Sequence, residues 1–164
     1  MNTTSFLEKK GFLDKIYYDW GKQQYDFFLQ YSEKDGINTK WRKYSEVCFD
    51  FETTKNHWFI KHCNQRQILL NEIVLDLEEK DSLPKIIKVL KKQKKKFYVY
   101  ETGSRGYHIH IFSKTSLSEE KKLSIIKLFG ADEQKCYDKT LIALENSPHW
   151  KSGKIKKRIE VDGD

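Results

Sequence analysis

Ile73-Val74-Leu75-Asp76-Leu77-Glu78 and, further along, Thr102-Gly103-Ser104-Arg105-Gly106-Tyr107-His108-Ile109-His110-Ile111 are the two stretches on which the reading of this chain turns. Each sets polar groups two residues apart inside a run that otherwise reads as buried β-strand. Strand side chains alternate faces, so Asp76 and Glu78 point the same way, as do His108 and His110. Two carboxylates on one strand, beside a Gly/Ser/Arg turn and a histidine strand, suggest a divalent-metal and phosphate site. Hard cations take carboxylate oxygens, and Mg²⁺ commonly bridges them to substrate phosphates. Within the turn, Gly103 and Gly106 would let backbone approach a phosphate closely, with free N–H groups forming an anion nest. Arg105 adds a bidentate phosphate donor. A plain hairpin would not require Arg and His beside it. A competing explanation for Asp76 and Glu78 is a strand end facing water, since Glu79 and Lys80 close the run.

Working outward, residues 5–31 space Phe12, Ile16, Trp20, Phe27, Phe28 and Tyr31 at near-helical intervals and predict one or two packing helices. Ser32 to Lys43 reads as a polar loop. Glu46–Glu52 and His57–Cys63 read as strands around a Thr53–Asn56 turn. Ile68–Glu78 is the acid-bearing strand. A helix follows from about Ser82, a candidate cap, with Pro84 in its first turn, to about Lys95. Its Lys88, Lys91, Lys92, Lys94, Lys95 and Lys96 are either a solvated last turn favoured by the helix dipole or a nucleic-acid patch. Strands at Phe97–Glu101 and Tyr107–Phe112 flank the glycine turn. A second helix spans about Ser118 to Phe129, and strands are expected near Leu141–Glu145 and Ile155–Val161. The alternation gives α/β or α+β around one mixed sheet, with no internal repeat.

The 164 residues suffice for one domain with a real core, and 14% aromatic and 38% hydrophobic content belongs to a folded chain. The +7 balance fits either a polyanionic partner or a lysine-rich solvated surface. Cys48, Cys63 and Cys136 show no C-x-x-C spacing, which argues against a disulfide framework and for a reducing interior. His57 and His62 beside Cys48 and Cys63 match no standard zinc pattern. No apolar run approaches the ~20 residues of a membrane span, and the amino terminus has no secretory h-region. The chain reads as soluble and intracellular.

On these motifs the chain resembles the archaeo-eukaryotic primase superfamily, in particular the catalytic small subunit of archaeal and eukaryotic replicative primases. Glu72 to Glu78 is similar to that family's first motif, a hydrophobic strand ending in two acids one residue apart, with Glu78 for the usual second Asp. Thr102 to Ile111 is similar to its second motif, Ser-Gly-x-Arg-Gly-x-His before alternating apolar residues, with Thr for the first Ser. Ser147-Pro148-His149-Trp150-Lys151-Ser152-Gly153 fits its third segment, Ser-x-His-x-Lys-Thr-Gly, with Ser for Thr. Counting back places the family's third acid at Asp132 if one residue is missing from the intervening strand; Asp138 is the rival. The resemblance covers roughly residues 68–161. The family's zinc-binding insertion has no cysteines here, so the chain looks like a catalytic core alone, natural or cut from something larger.

The resemblance implies an α+β domain over 1–164: a mixed, largely antiparallel, RRM-like sheet flanked by helices, with an N-terminal helical part (1–45) and a catalytic part (46–164). It further implies Asp76, Glu78 and Asp132 holding two Mg²⁺ or Mn²⁺ ions, and Arg105, His108, His149 and Lys151 gripping an NTP or dNTP triphosphate. Thr102 and Ser104 would add donors, and His110 would be a supporting or core residue. The implied activity is primer synthesis or extension on single-stranded DNA, with a primase large subunit or a replicative helicase as partner. A catalytically silent nucleotide- or nucleic-acid-binding subunit and a metal-dependent nuclease are the alternatives.

Overall fold

The computed structural model of the chain describes residues 3–20, 26–33, 39–102 and 105–161. Helix α1 (Thr3–Lys15) widens into a π-helical turn, Ile16–Trp20, that buries Ile16 and Trp20. Strands β1 (Phe28–Ser32) and β2 (Thr39–Lys43) precede helices α2 (Tyr44–Cys48) and α3 (Thr54–His62). Then come β3 (Gln65–Gln67), β4 (Glu72–Leu77), α4 (Leu83–Lys92), β5 (Lys96–Glu101) and β6 (Tyr107–Phe112). Helix α5 (Glu119–Leu128), β7 (Leu141–Ala143) and β8 (Lys157–Ile159) complete the described order.

The strands form two antiparallel four-stranded sheets, β2-β1-β3-β7 and β4-β6-β5-β8, flanked by helices. The architecture is α+β, but the expected single mixed sheet is two sheets. The break falls inside the apolar run from Ile68, which the sequence presents as one strand. There the Glu72 N–H donates to the Leu69 carbonyl at 3.0 Å, and the Glu72 carboxylate accepts the Leu69 N–H at 3.0 Å. That tight turn carries the chain from the first sheet into the second.

The N-terminal part also departs from expectation. Phe28–Ser32 is a strand rather than helix, and Thr39–Lys43 is its partner rather than loop, so residues 1–45 are not purely helical. Conversely, Glu46–Glu52 and His57–Cys63 do not form strands. Tyr44, Val47 and Cys48 bury one face at spacings of three and four, the helical repeat. Thr53 caps α3 by accepting the Asn56 N–H at 3.2 Å, which settles the local competition in favour of helix. In the C-terminal half the expected elements stand close to their places. Ser118 caps α5, whose first turn holds Glu119 and Glu120. Pro84 sits at the start of α4, although the Ser82 hydroxyl binds the Glu79 carbonyl instead of capping the helix.

Alternation along the second sheet separates oil from chemistry. Ile73, Leu75, Leu77, Val99, Ile109 and Ile111 pack with Leu83, Ile86, Leu90 and Ile126 of the helices. The opposite face carries Glu72, Asp76, His108 and His110, aligned by the β4–β6 register that pairs Asp76 with His108. Val74 on that face meets Ile68 and Ile142. The other large core joins α1, α2 and α3 to Leu29 and Phe112.

Candidate active site

Asp76 lies one residue before the end of β4, half-buried, opposite His108 on β6. His108 Nε2 is 3.5 Å from Asp76 Oδ1. Burial, with Lys156 and His110 nearby, pushes the His108 pKa down against the opposing pull of Asp76, so the ring is neutral at physiological pH. A neutral ring facing a carboxylate through Nε2 carries its proton there. Its Nδ1 is buried and has no hydrogen-bond partner among the described residues. Burial would raise the Asp76 carboxyl, but the His108 hydrogen bond and the charges of Lys135 and Lys156 outweigh it and hold Asp76 ionised.

Two cavities meet at Asp76. One, of about 450 Å³, is walled by Asp76, Glu78, Glu79 and Asp132 together with Leu77, Ser82 and residues 129–131. Glu78 and Asp132 are exposed. Asp132 reaches the acid strand through its backbone, its N–H donating to the Asp76 carbonyl at 3.3 Å. Asp138 lies elsewhere, its N–H donating to Glu119 Oε2 at 2.7 Å, and it lines neither cavity. The second cavity, of about 300 Å³, brings Asp76 together with Thr102, Arg105, His108, His149 and Lys135. The segments around Arg105 and His149, expected to bind phosphate, thus line one cavity. Lys151 is not in that wall; its Nζ lies 4.9 Å from the centre of the Trp150 ring, and Trp150 does line the cavity. Ser104 and Gly103 fall outside the described residues.

Gly106 has a use the sequence reading did not assign. At φ +90°, a Cβ there would stand 2.2 Å from the Leu77 carbonyl oxygen and 3.0 Å from Glu78 Cα. The missing side chain lets the turn lie against the end of the acid strand. The loop bearing His149 is pinned as well. The His149 N–H donates to the Lys154 carbonyl at 2.7 Å, and its Nδ1 accepts the Lys151 N–H at 3.1 Å. Partial burial and the Lys151 charge lower its pKa, so its Nε2 carries the proton of a neutral ring.

Behind the site lies a buried charge cluster. Arg66 on β3 binds Glu72 through Nη1 and Nη2 at 2.8 and 2.7 Å, and Glu145 through Nε and Nη2 at 3.0 and 2.8 Å. His110 Nδ1 lies 2.6 Å from Glu72 Oε2, and Lys156 Nζ lies 2.9 Å from His110 Nε2. Because the Lys156 ammonium can only donate, Nε2 accepts and Nδ1 donates to Glu72. Two cations, two anions and a neutral imidazole balance one another in the dry interior. His110 is therefore buried in this cluster rather than exposed to either cavity. Arg66, Glu145, Lys156 and the cavity residue Lys135 were not anticipated. The available signal was charge embedded in apolar strand, in Gln65-Arg66-Gln67-Ile68-Leu69 and Leu144-Glu145. The cysteines are free and buried, while His57 stacks on Phe6 and His62 on Trp58.

The donor set at the acidic cavity, the carboxylates of Asp76, Glu78, Glu79 and Asp132, has the chemistry of a hard-cation site. Among the described residues, however, no three His, Cys, Asp or Glu side chains are gathered at ligating distance. Glu78 and Asp132 are exposed, and Asp132 Oδ1 accepts the Gln134 N–H at 3.0 Å. No described helix is long and apolar enough to cross a membrane. No family model and no curated protein matches the chain.

Proposed function

We propose that this protein is a nucleotidyltransferase of the archaeo-eukaryotic primase type, making or extending primers on a single-stranded DNA template from NTPs or dNTPs. The observation that carries the proposal is the position of Asp76 in the wall common to an acidic cavity and a cationic one. Phosphoryl transfer asks mainly for positioning and charge stabilisation, and these two cavities supply opposite charges on either side of one carboxylate. Asp76, Glu78 and Asp132 would hold Mg²⁺ or Mn²⁺. When bound, such ions activate the attacking 3′-hydroxyl and neutralise charge on the phosphates. Arg105, exposed at the cavity rim, offers a guanidinium fork for the triphosphate. His149 offers Nε2–H as a donor, and Thr102 a hydroxyl. His108 keeps Asp76 ionised and oriented. Lys151 would reach the phosphates by leaving the Trp150 ring.

A second reading, a catalytically silent nucleotide- or nucleic-acid-binding subunit, draws on the same cationic cavity and on carboxylates that line a wall without closing on one point. A template-directed assay with labelled NTPs and dNTPs, with and without primer, in Mg²⁺ or Mn²⁺, separates the two. Template-dependent incorporation is expected, falling by orders of magnitude in Asp76→Ala because a group acting mainly in the transition state is lost. Undiminished incorporation by a folded Asp76→Ala protein would overturn the site. Triphosphate binding without incorporation by the wild type would favour the silent subunit.

A further inference from the structure

The first sheet has one buried face and one partly open face, on which Ser32 and Gln67 are buried and the row through Trp41 is not. Leu29, Arg66 and Ile142, paired across β1, β3 and β7, are buried. The adjacent row is Trp41, Gln30, Gln65 and Ala143, each the direct partner of the next from β2 through β7. Directly opposed residues in an antiparallel sheet present their side chains on one face, so this row crosses the side away from the buried one. Trp41 is 56% exposed, and Gln30, Gln65 and Ala143 are half-buried. Phe28, one row over on the same face, meets Trp41 edge-on at 5.4 Å, with Lys43 Nζ 6.0 Å from its ring centre. The far end of the row opens into the proposed catalytic cavity, whose wall includes Gln65 and Ala143 beside Asp76.

We propose that this open face is the track along which single-stranded DNA reaches the catalytic cavity. The proposal rests on the polymerase reading for the identity of the strand, but its location rests on the sheet register. Every base has a π-face, so a flat exposed ring gives sequence-tolerant stacking, and the Lys43 ammonium beside it can meet a phosphate. Gln30 and Gln65 add amides that can donate to or accept from any base edge. Three strand steps of about 4.8 Å set Ala143 about 14 Å from Trp41, room for about four stacked nucleotides at 3.4 Å each. The partner is a strand with its bases unpaired, since a duplex hides the faces that Trp41 and Phe28 would stack upon.

The test is fluorescence anisotropy of a labelled oligo-dT with wild type, Trp41→Ala, Trp41→Phe and, as a control on α3 under the other face, Trp58→Ala. Truncating a stacking ring is expected to weaken binding about five- to a hundredfold. Trp41→Phe should restore most of the affinity, and Trp58→Ala should bind like the wild type. Wild-type affinity in folded Trp41→Ala, or an equal loss in Trp58→Ala, overturns the track. Equal Trp41-dependent binding of duplex DNA overturns the single-strand assignment, and a Trp41-dependent preference for oligo-U overturns DNA in favour of RNA. The incorporation assay run alongside judges the polymerase reading separately: its failure with Trp41-dependent oligo-dT binding intact counts against catalysis and leaves the track standing.

Discussion

Asp132 and Asp138 look interchangeable in the sequence, six residues apart in one polar stretch, and the structure separates them by their neighbours. The backbone of Asp132 is hydrogen-bonded to Asp76, and its side chain caps the short helical turn that follows by accepting the Gln134 N–H at 3.0 Å. Asparagine keeps that acceptor and removes only the charge. Asp132→Asn should therefore leave stability nearly unchanged while cutting nucleotide incorporation by orders of magnitude, whereas Asp138→Asn should leave the rate within about threefold. Steady-state incorporation by both variants checks this, and the reverse ranking would place the third acid at Asp138. That His108 and His110 share a face was legible from alternation, because strand residues two apart point the same way; that Asp76 stands opposite His108 was not, because it depends on the β4–β6 register. The Arg66 cluster was not legible either, because one of its two carboxylate partners, Glu145, lies 79 residues away, and no local period connects them.

The turn between β5 and β6 is held at both ends. Thr102 donates its N–H to the Gly106 carbonyl at 3.1 Å, and Gly106 itself rests against the end of β4. Alanine at 106 must displace the Leu77 carbonyl and also adopt a positive φ, so Gly106→Ala should cost about 3 kcal/mol or more. Gly130→Ala is the matched control. Gly130 has φ +68° with open space around its missing Cβ, so only the left-handed penalty of about 1 kcal/mol applies. Urea denaturation of the two variants measures both, and equal costs would show that the close approach to β4 is not what fixes position 106. Elsewhere at this scale the sequence misled in one consistent way. In α2 and α3 aromatic composition suggested strands, while a cap at Thr53 and a three-and-four spacing of buried groups decided for helix. In β1 the converse held: the near-helical spacing of aromatic residues pointed to helix, while Phe28–Ser32 pairs antiparallel with Thr39–Lys43.

The two sheets are joined by the buried ions, and this makes the whole molecule sensitive to acid. Burial alone would raise the Glu145 carboxyl, but Arg66 and Lys156 bring it to about 2. Glu72 is likewise held well below its usual range, chiefly because Arg66 overcomes its burial. Below about pH 4.5 the unfolded chain therefore binds more protons than the folded one, so this stability is complete above that pH and is lost as pH falls toward 2. Burial also lowers the pKa values of His108 and His110, so the unfolded chain gains protons first from about pH 6.5 downward, with the same sign. Thermal melts should show Tm declining from about pH 6.5 and more steeply below about 4.5; a flat Tm from pH 7 to 4 would contradict the cluster as drawn. The same ions bear on how the molecule is made. Arg66 leaves the ribosome 79 residues before Glu145, a lag of roughly 4–16 s at about 5–20 residues per second. Of its two carboxylate partners only Glu72 can meet the guanidinium in that interval, and Lys156 has yet to be synthesised. The buried face of the first sheet is thus completed only when Glu145 and Lys156 have emerged.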